Sequence, residues 1–122
     1  MKNDCPLESI EQAQFCDYLD DHNILYTSTQ NGAFLGGRNS FAQYNKLKKT
    51  GTKKGFPDLI IFVRNESKTE SVLFIEMKRQ KGGIVSKDQK EWLHKLDKAG
   101  YSVGVAKGCI AAIRILNKYL NT

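Results

Sequence analysis

Asp58, Glu76 and Lys78 are the residues of this chain whose types and spacing could do chemistry. Asp58 opens the apolar run Leu59-Ile60-Ile61-Phe62, and Glu76-Met77-Lys78 closes the run Leu73-Phe74-Ile75. Strand side chains alternate faces, so Glu76 and Lys78 point one way while Ile75 and Met77 point the other. If the two runs pair as neighbouring strands, Asp58 stands beside Glu76 at one edge of the sheet. Two carboxylates and an ammonium then converge on one spot. Acids that must stay ionised side by side want a divalent cation, and oxygen-only ligands suit Mg²⁺ or Mn²⁺. A lysine beside such an ion can orient or deprotonate a water, or neutralise charge on a phosphate in transfer. That combination implies metal-dependent phosphodiester hydrolysis. The competing use of the same residues is a plain Asp or Glu–Lys ion pair at a sheet edge.

The elements that must position these groups follow from periodicity. Leu7, Ile10, Phe15, Tyr18 and Leu19 recur near helical spacing and predict an amphipathic helix over about 7–22, stopped at His22-Asn23. A short strand at 24–28 follows, then a turn-rich segment with Asn31-Gly32 and Gly36-Gly37. Asn39 or Ser40 can cap a second helix that runs to about Lys49 and ends at Thr50-Gly51. Phe41, Tyr44 and Leu47 supply its expected core stripe, with Tyr44 packing inward and the lysines facing solvent or substrate. Pro57 suits the start of a strand over about 58–63, because its missing donor costs no ladder bond there. A polar hairpin loop at 64–70 leads to a returning strand at 72–77. Neither apolar run alternates cleanly, so both strands are expected to be covered on both faces. Carboxylates near such a core are costly unless they meet a cation or sit at an exposed strand end.

Beyond the second strand lies a basic glycine loop, 79–85. Ser86-Lys87-Asp88-Gln89 then fits a capping box, in which Gln89 reaches back to the Ser86 amide. Trp92, Leu93 and Leu96 form the core face of this helix, which Ala99-Gly100 ends. Lys87, Lys90, Lys95 and Lys98 flank it towards DNA or water, and His94 reads as a surface residue. A buried strand at 101–106 should run parallel to its neighbour, since a helix crosses between them. Gly108 breaks it before a terminal helix with Ile110, Ile113, Leu116 and Leu120 on one stripe.

A chain of 122 residues, 40% hydrophobic and 26% charged, is expected to form one domain over 1–122 with a real core. No apolar run approaches the ~20 residues of a membrane span, and residues 1–8 lack a signal-peptide core, so a cytoplasmic protein is expected. Cys5, Cys16 and Cys109 are odd in number and lack metal-ligand spacing, which suggests reduced, structural thiols. The net charge of +6 suits a polyanionic partner, and its distribution says more. No acid falls between Asp21 and Asp58, where Arg38, Lys46, Lys48, Lys49, Lys53 and Lys54 stand. Residues 1–21 carry six acids against one lysine. An acid-free basic segment leading into the candidate site reads as a phosphate-contacting arm, with Arg79 and Lys81 adding to it.

Pro57-Asp58 followed by Glu76-Met77-Lys78 resembles the PD-(D/E)xK nuclease signature. Lys54-Gly55-Phe56-Pro57-Asp58, Phe74 to Lys78, Gly83, Ser86, Gln89, Ala99-Gly100-Tyr101, Val103 and Gly108 are similar to its VRR-NUC branch, common in bacteriophages. Asn31-Gly32 with Arg38 resembles that family's glycine-rich segment before its second helix. The likeness runs from about Glu8 to Leu120. It implies an α/β, three-layer, restriction-endonuclease-like core with a mixed central sheet flanked by helices. It further implies a Mg²⁺- or Mn²⁺-dependent endonuclease in which Asp58 and Glu76 hold the metal, with the Met77 carbonyl as a further ligand. The family's first-helix glutamate, followed four residues later by glutamine, fits Glu8 with Gln12 and would complete the site. Glu11 is the alternative, and acids near a helix start also arise through the helix dipole alone. Lys78 would position the attacking water, and Gln89 would stand beside it, although one side chain is not expected both to cap and to serve the site. Stand-alone members are similar to homodimeric enzymes that cut branched DNA such as Holliday junctions, which here would mean a phage protein acting in the host cytoplasm. Two other readings share the sequence pattern. One is a restriction-type nuclease, for which little chain is left to read bases; the other is a non-catalytic DNA-binding module.

Overall fold

The computed structural model describes residues 5–29 and 40–121. Asn31-Gly32, Gly36-Gly37, Arg38 and the Asn39 cap lie outside them. The elements are α1 (Glu8–Asp21), β1 (Leu25–Ser28), α2 (Ser40–Lys49), β2 (Leu59–Arg64), β3 (Glu70–Lys78), α3 (Lys87–Lys98), β4 (Ser102–Lys107) and α4 (Cys109–Leu120). This is the expected order, with four helices on a four-stranded mixed sheet.

The strands stand in the order β1-β2-β3-β4. β1 and β2 pair antiparallel, as do β2 and β3, while β4 runs parallel to β3 after the α3 crossover. Alternation sorts the side chains onto two faces. Leu59, Ile61 and Val63 of β2 and Leu73, Ile75 and Met77 of β3 point to one face, where Phe15 and Leu19 of α1 and Ala112 and Leu116 of α4 meet them. Each fully buried aliphatic side chain here contributes about 1.5–3 kcal/mol. The opposite face is covered by α3 through an aromatic chain. Phe56 meets Phe74 edge-on at 5.5 Å and Trp92 at 5.2 Å, and Phe74 meets Tyr101 at 5.7 Å. Helices therefore flank the sheet on both sides, which makes three layers.

One turn fixes the depth of the site. Gly55 has φ +84°, and a Cβ there would come within 2.7 Å of the Asp88 carbonyl carbon. Only glycine lets the approach to β2 lie so close against the first turn of α3. Asp58 and Gln89 are thereby brought to the same end of the sheet.

Several packing expectations change. The two-sided cover expected of β2 is incomplete, because α3 lies over the β3–β4 half and leaves Phe62 50% exposed. In α1 the buried residues are Glu11, Phe15 and Leu19, while Leu7 and Ile10 are exposed. The stripe expected to bury α2 does not do so: Phe41 is 79% exposed, and none of that helix's described side chains is buried. Ile110 also faces outward, since Ala112 and Leu116 form the inner row of α4. Cys5, Cys16 and Cys109 form no disulfide with one another. Among the described residues no helix is long and apolar enough to cross a membrane.

Candidate active site

Asp58 immediately precedes β2, and the β2–β3 register pairs Leu59 with Ile75. One step further along, Asp58 faces Glu76. Thr29 steadies this entry: its amide donates to the Asp58 carbonyl at 2.9 Å and its hydroxyl to the Pro57 carbonyl at 2.7 Å. Asp58 Oδ2 accepts the Met77 amide at 2.7 Å, so the carboxylate continues the ladder where β2 has ended. Within an antiparallel pair one residue's N–H and C=O point to the same edge, so the Met77 carbonyl looks towards Asp58 as well.

Glu76 and Lys78 share a face of β3 with Phe74, beneath the N-terminal turn of α3. They are only 1% and 8% exposed. Lys78 Nζ lies 3.4 Å from Glu76 Oε2 and donates to Gln89 Oε1 at 2.8 Å. Gln89 Nε2 donates to Glu76 Oε2 at 2.9 Å. The same Gln89 Oε1 also accepts the Ser86 amide at 2.8 Å, and Ser86 Oγ accepts the Gln89 amide at 3.2 Å. The expectation that one side chain could not both cap and reach the site is therefore overturned. An amide oxygen has two lone pairs, one for the helix start and one for the ammonium, and the NH₂ remains for the carboxylate.

Burial dominates the electrostatics. It pushes the Glu76 carboxyl up to about 8, with the Asp58 charge adding and Lys78 opposing. Asp58 is also raised by burial, against the opposing effects of the Met77 amide, Glu76 and Lys78. Glu76 Oε1 is buried and accepts no hydrogen bond. Two acids are thus crowded together with too little positive charge, and one of their oxygens is orphaned.

Glu8 and Glu11 occupy different surroundings. Glu8 lines a groove of about 660 Å³ that also contains Gln12, Tyr26, Ser28 and Asp58. Its carboxyl is raised first by burial and then by the Asp58 charge, with Lys78 opposing. Glu11 points inward at 4% exposure. Its Oε1 accepts the Gln80 side-chain amide at 2.9 Å and the Cys109 backbone amide at 3.0 Å. An anion at the start of α4 is favoured by the helix dipole. Gly108, with φ +97°, leaves room for it, since a Cβ there would lie 2.8 Å from Glu11 Oε1. Glu11 is the residue that sequence reasoning placed least well. Its signal was the i, i+4, i+8 spacing with Phe15 and Leu19, which marks the inward row of the helix.

Among the described residues no three His, Cys, Asp or Glu side chains are gathered as a metal-binding cluster. A hard divalent ion still suits the pair. The donors are all oxygens, one carboxylate oxygen lacks a partner, and Mg²⁺ commonly binds through one or two carboxylates while keeping several waters.

Of the residues expected to meet DNA, Lys46, Lys48, Lys49, Lys53, Lys54 and Lys81 are exposed, and Arg38 lies outside the described residues. Lys54 makes a long, solvent-exposed 3.9 Å pair with Asp88. Arg79 is committed elsewhere: it donates to the Cys5 carbonyl at 2.9 Å and the Pro6 carbonyl at 3.2 Å, tying the N-terminal segment to the end of β3.

A solved structure described as a VRR_NUC domain protein superposes on 99% of this chain and 93% of its own, with a TM-score of 0.70 and 26% identity. No curated protein matches the chain significantly. The sequence profile of the VRR-NUC domain matches residues 35–109, a span that contains Asp58, Glu76, Lys78 and Gln89. The chain belongs to the VRR-NUC domain family, a family of nucleases.

Proposed function

We propose that this protein is a Mg²⁺- or Mn²⁺-dependent endonuclease that hydrolyses phosphodiester bonds in branched DNA as a homodimer. The observation that carries the reading is the pairing of half-buried Asp58 with buried Glu76, one of whose oxygens is orphaned, beside an ammonium held in place by Gln89. Asp58, Glu76 and the Met77 carbonyl would hold the ion, and Glu8 would face it from across the groove. When bound, the ion supplies Lewis-acid stabilisation of phosphate charge and lowers the pKa of a water.

The chain's own residues do the rest. Lys78 is held at two points, Glu76 Oε2 and Gln89 Oε1, so its ammonium needs no reorganisation as charge grows on the phosphoryl oxygens. Gln89 fixes carboxylate and ammonium relative to each other through one amide group. The exposed lysines of α2 and of the segment before β2 meet phosphates away from the cut. Paired cuts across a two-fold junction need paired sites, which a symmetric dimer provides.

The reading is tested by cleavage of a four-way junction and of the matching linear duplex, with Mg²⁺, Mn²⁺ or EDTA. Cutting of the junction alone, abolished by EDTA, is expected. Equal cutting of the linear duplex would favour the restriction-type reading, and binding without cutting would favour the non-catalytic module.

The raised carboxyl also sets a pH dependence. Glu76 holds its proton in the folded, metal-free protein up to about 8, against an ordinary value of 4.5. Between those values the folded state binds more protons than the unfolded state, so stability falls as pH rises. Thermal midpoints of the metal-free protein should decline across this window, and Glu76→Gln should flatten the decline. A divalent ion competes with the same proton, so its affinity by calorimetry should rise with pH up to about 8.

A further inference from the structure

Packing does not explain Phe41 in α2. Phe41, Tyr44 and Lys48 fall at i, i+3 and i+7, which places them on one side of the helix. Phe41 is 79% exposed, and Lys48 Nζ lies 5.4 Å from the centre of the Tyr44 ring. The last turn adds Lys46 and Lys49, and the helix contains no acid. Single exposed apolar residues are common on protein surfaces. An exposed aromatic in line with a second ring and a cation, on a wholly basic helix, is a more specific arrangement.

The charge selects a polyanion, and the rings select one that offers flat faces. Single-stranded nucleic acid presents both, since every unpaired base has a π-face and every nucleotide a phosphate. A blunt duplex presents its phosphates but keeps its bases stacked inside, so it would use the lysines and leave Phe41 idle. A second copy of this chain fits poorly, because a two-fold contact through this face would set lysines against lysines.

We propose that α2 binds unpaired nucleotides, with Phe41 stacking on a base while Lys46, Lys48 and Lys49 contact phosphates. The inference rests on the nuclease reading only in taking DNA as the partner. It narrows the substrate to DNA that carries accessible single-stranded bases, as a splayed branch point does.

The test is binding of the full chain in EDTA, by fluorescence anisotropy, to a single-stranded oligonucleotide, a forked duplex and a blunt duplex. Base–aromatic stacking is worth ≈ 1–3 kcal/mol per base, so Phe41→Ala should weaken single-stranded and forked binding about tenfold or more. Blunt-duplex binding should change less than about twofold, because phosphate contacts are untouched. Phe41→Tyr should bind as the unchanged protein does, and 2-aminopurine in the single strand should be quenched by both of these and not by Phe41→Ala. The proposal is overturned by equal losses on all three DNAs, by no loss, or by a thermal midpoint that drops with Phe41→Ala. It is also overturned if Phe41→Ala instead halves the mass by light scattering or selectively abolishes binding to phosphatidylserine vesicles. Failure of the nuclease reading would be seen separately, as unchanged cleavage by Asp58→Asn, and would leave these affinities standing.

Discussion

Lys78→Met slows DNA cleavage about 10²–10³-fold, the loss typical when one preorganised donor to developing charge is removed. Methionine keeps the buried stem and deletes only the ammonium that touches Glu76 and Gln89. The cost to the fold should be small, because Glu76 can carry a proton in place of its lost partner and so leaves no bare charge in the interior. DNA affinity should stay within a few-fold, since a residue 8% exposed contributes little to the surface that meets phosphates. Lys78 also opposes the rise of the Glu76 carboxyl, so its removal shifts metal loading towards higher pH. The rates must therefore be compared at saturating metal, where loading no longer differs. Asp58→Asn should lose at least as much, because it removes an anionic oxygen from the proposed ion and keeps an acceptor for the Met77 amide. Cleavage by both variants at the unchanged rate would sink the assignment of this cluster.

The architecture was largely legible because most of it is local. Alternation within Leu73 to Lys78 and the capping signal at Ser86 are each decided by a few adjacent residues. Proximity of Asp58 to Glu76 needed one further step, the pairing of two consecutive strands across a short loop. What was not legible depends on distant partners. Glu11 goes inward because the start of α4, nearly a hundred residues later, offers an amide to an anion. Leu7 and Ile10 lose the core to Phe15 and Leu19 because α4 meets only one row of α1. Phe62 stays half exposed because a single helix cannot cover four strands, and nothing in β2 itself reveals how far α3 extends. The stripe of α2 was misplaced for a related reason. Three apolar residues at helical spacing suffice for a core face only when another element lies opposite, and here the lysines around them keep the helix at the surface.

Gln89 joins the helix start to the site, and two substitutions pull those duties apart. Gln89→Glu retains an oxygen for the Ser86 amide and for Lys78, so the cap should survive and the thermal midpoint should barely move. It removes the NH₂ that donates to Glu76 Oε2 and places a third acid against the pair. That acid pushes Glu76 further up, weakens metal binding near neutral pH, and should lower cleavage about 10–100-fold, the span of a lost charge-assisted hydrogen bond. Gln89→Ala loses both duties. The lost side-chain bond to the Ser86 amide costs about 1 kcal/mol, a fall of about 4 °C for a chain of this size, and the freed ammonium lowers cleavage as well. The pair of measurements is decisive because the two effects travel separately. If Gln89→Glu cleaves at the full rate while Gln89→Ala melts early, Gln89 serves only the helix. If both cleave poorly while only Gln89→Ala melts early, the amide that starts α3 is also what holds the ammonium against the carboxylate, and the depth to which Gly55 lets that helix settle becomes a condition for catalysis.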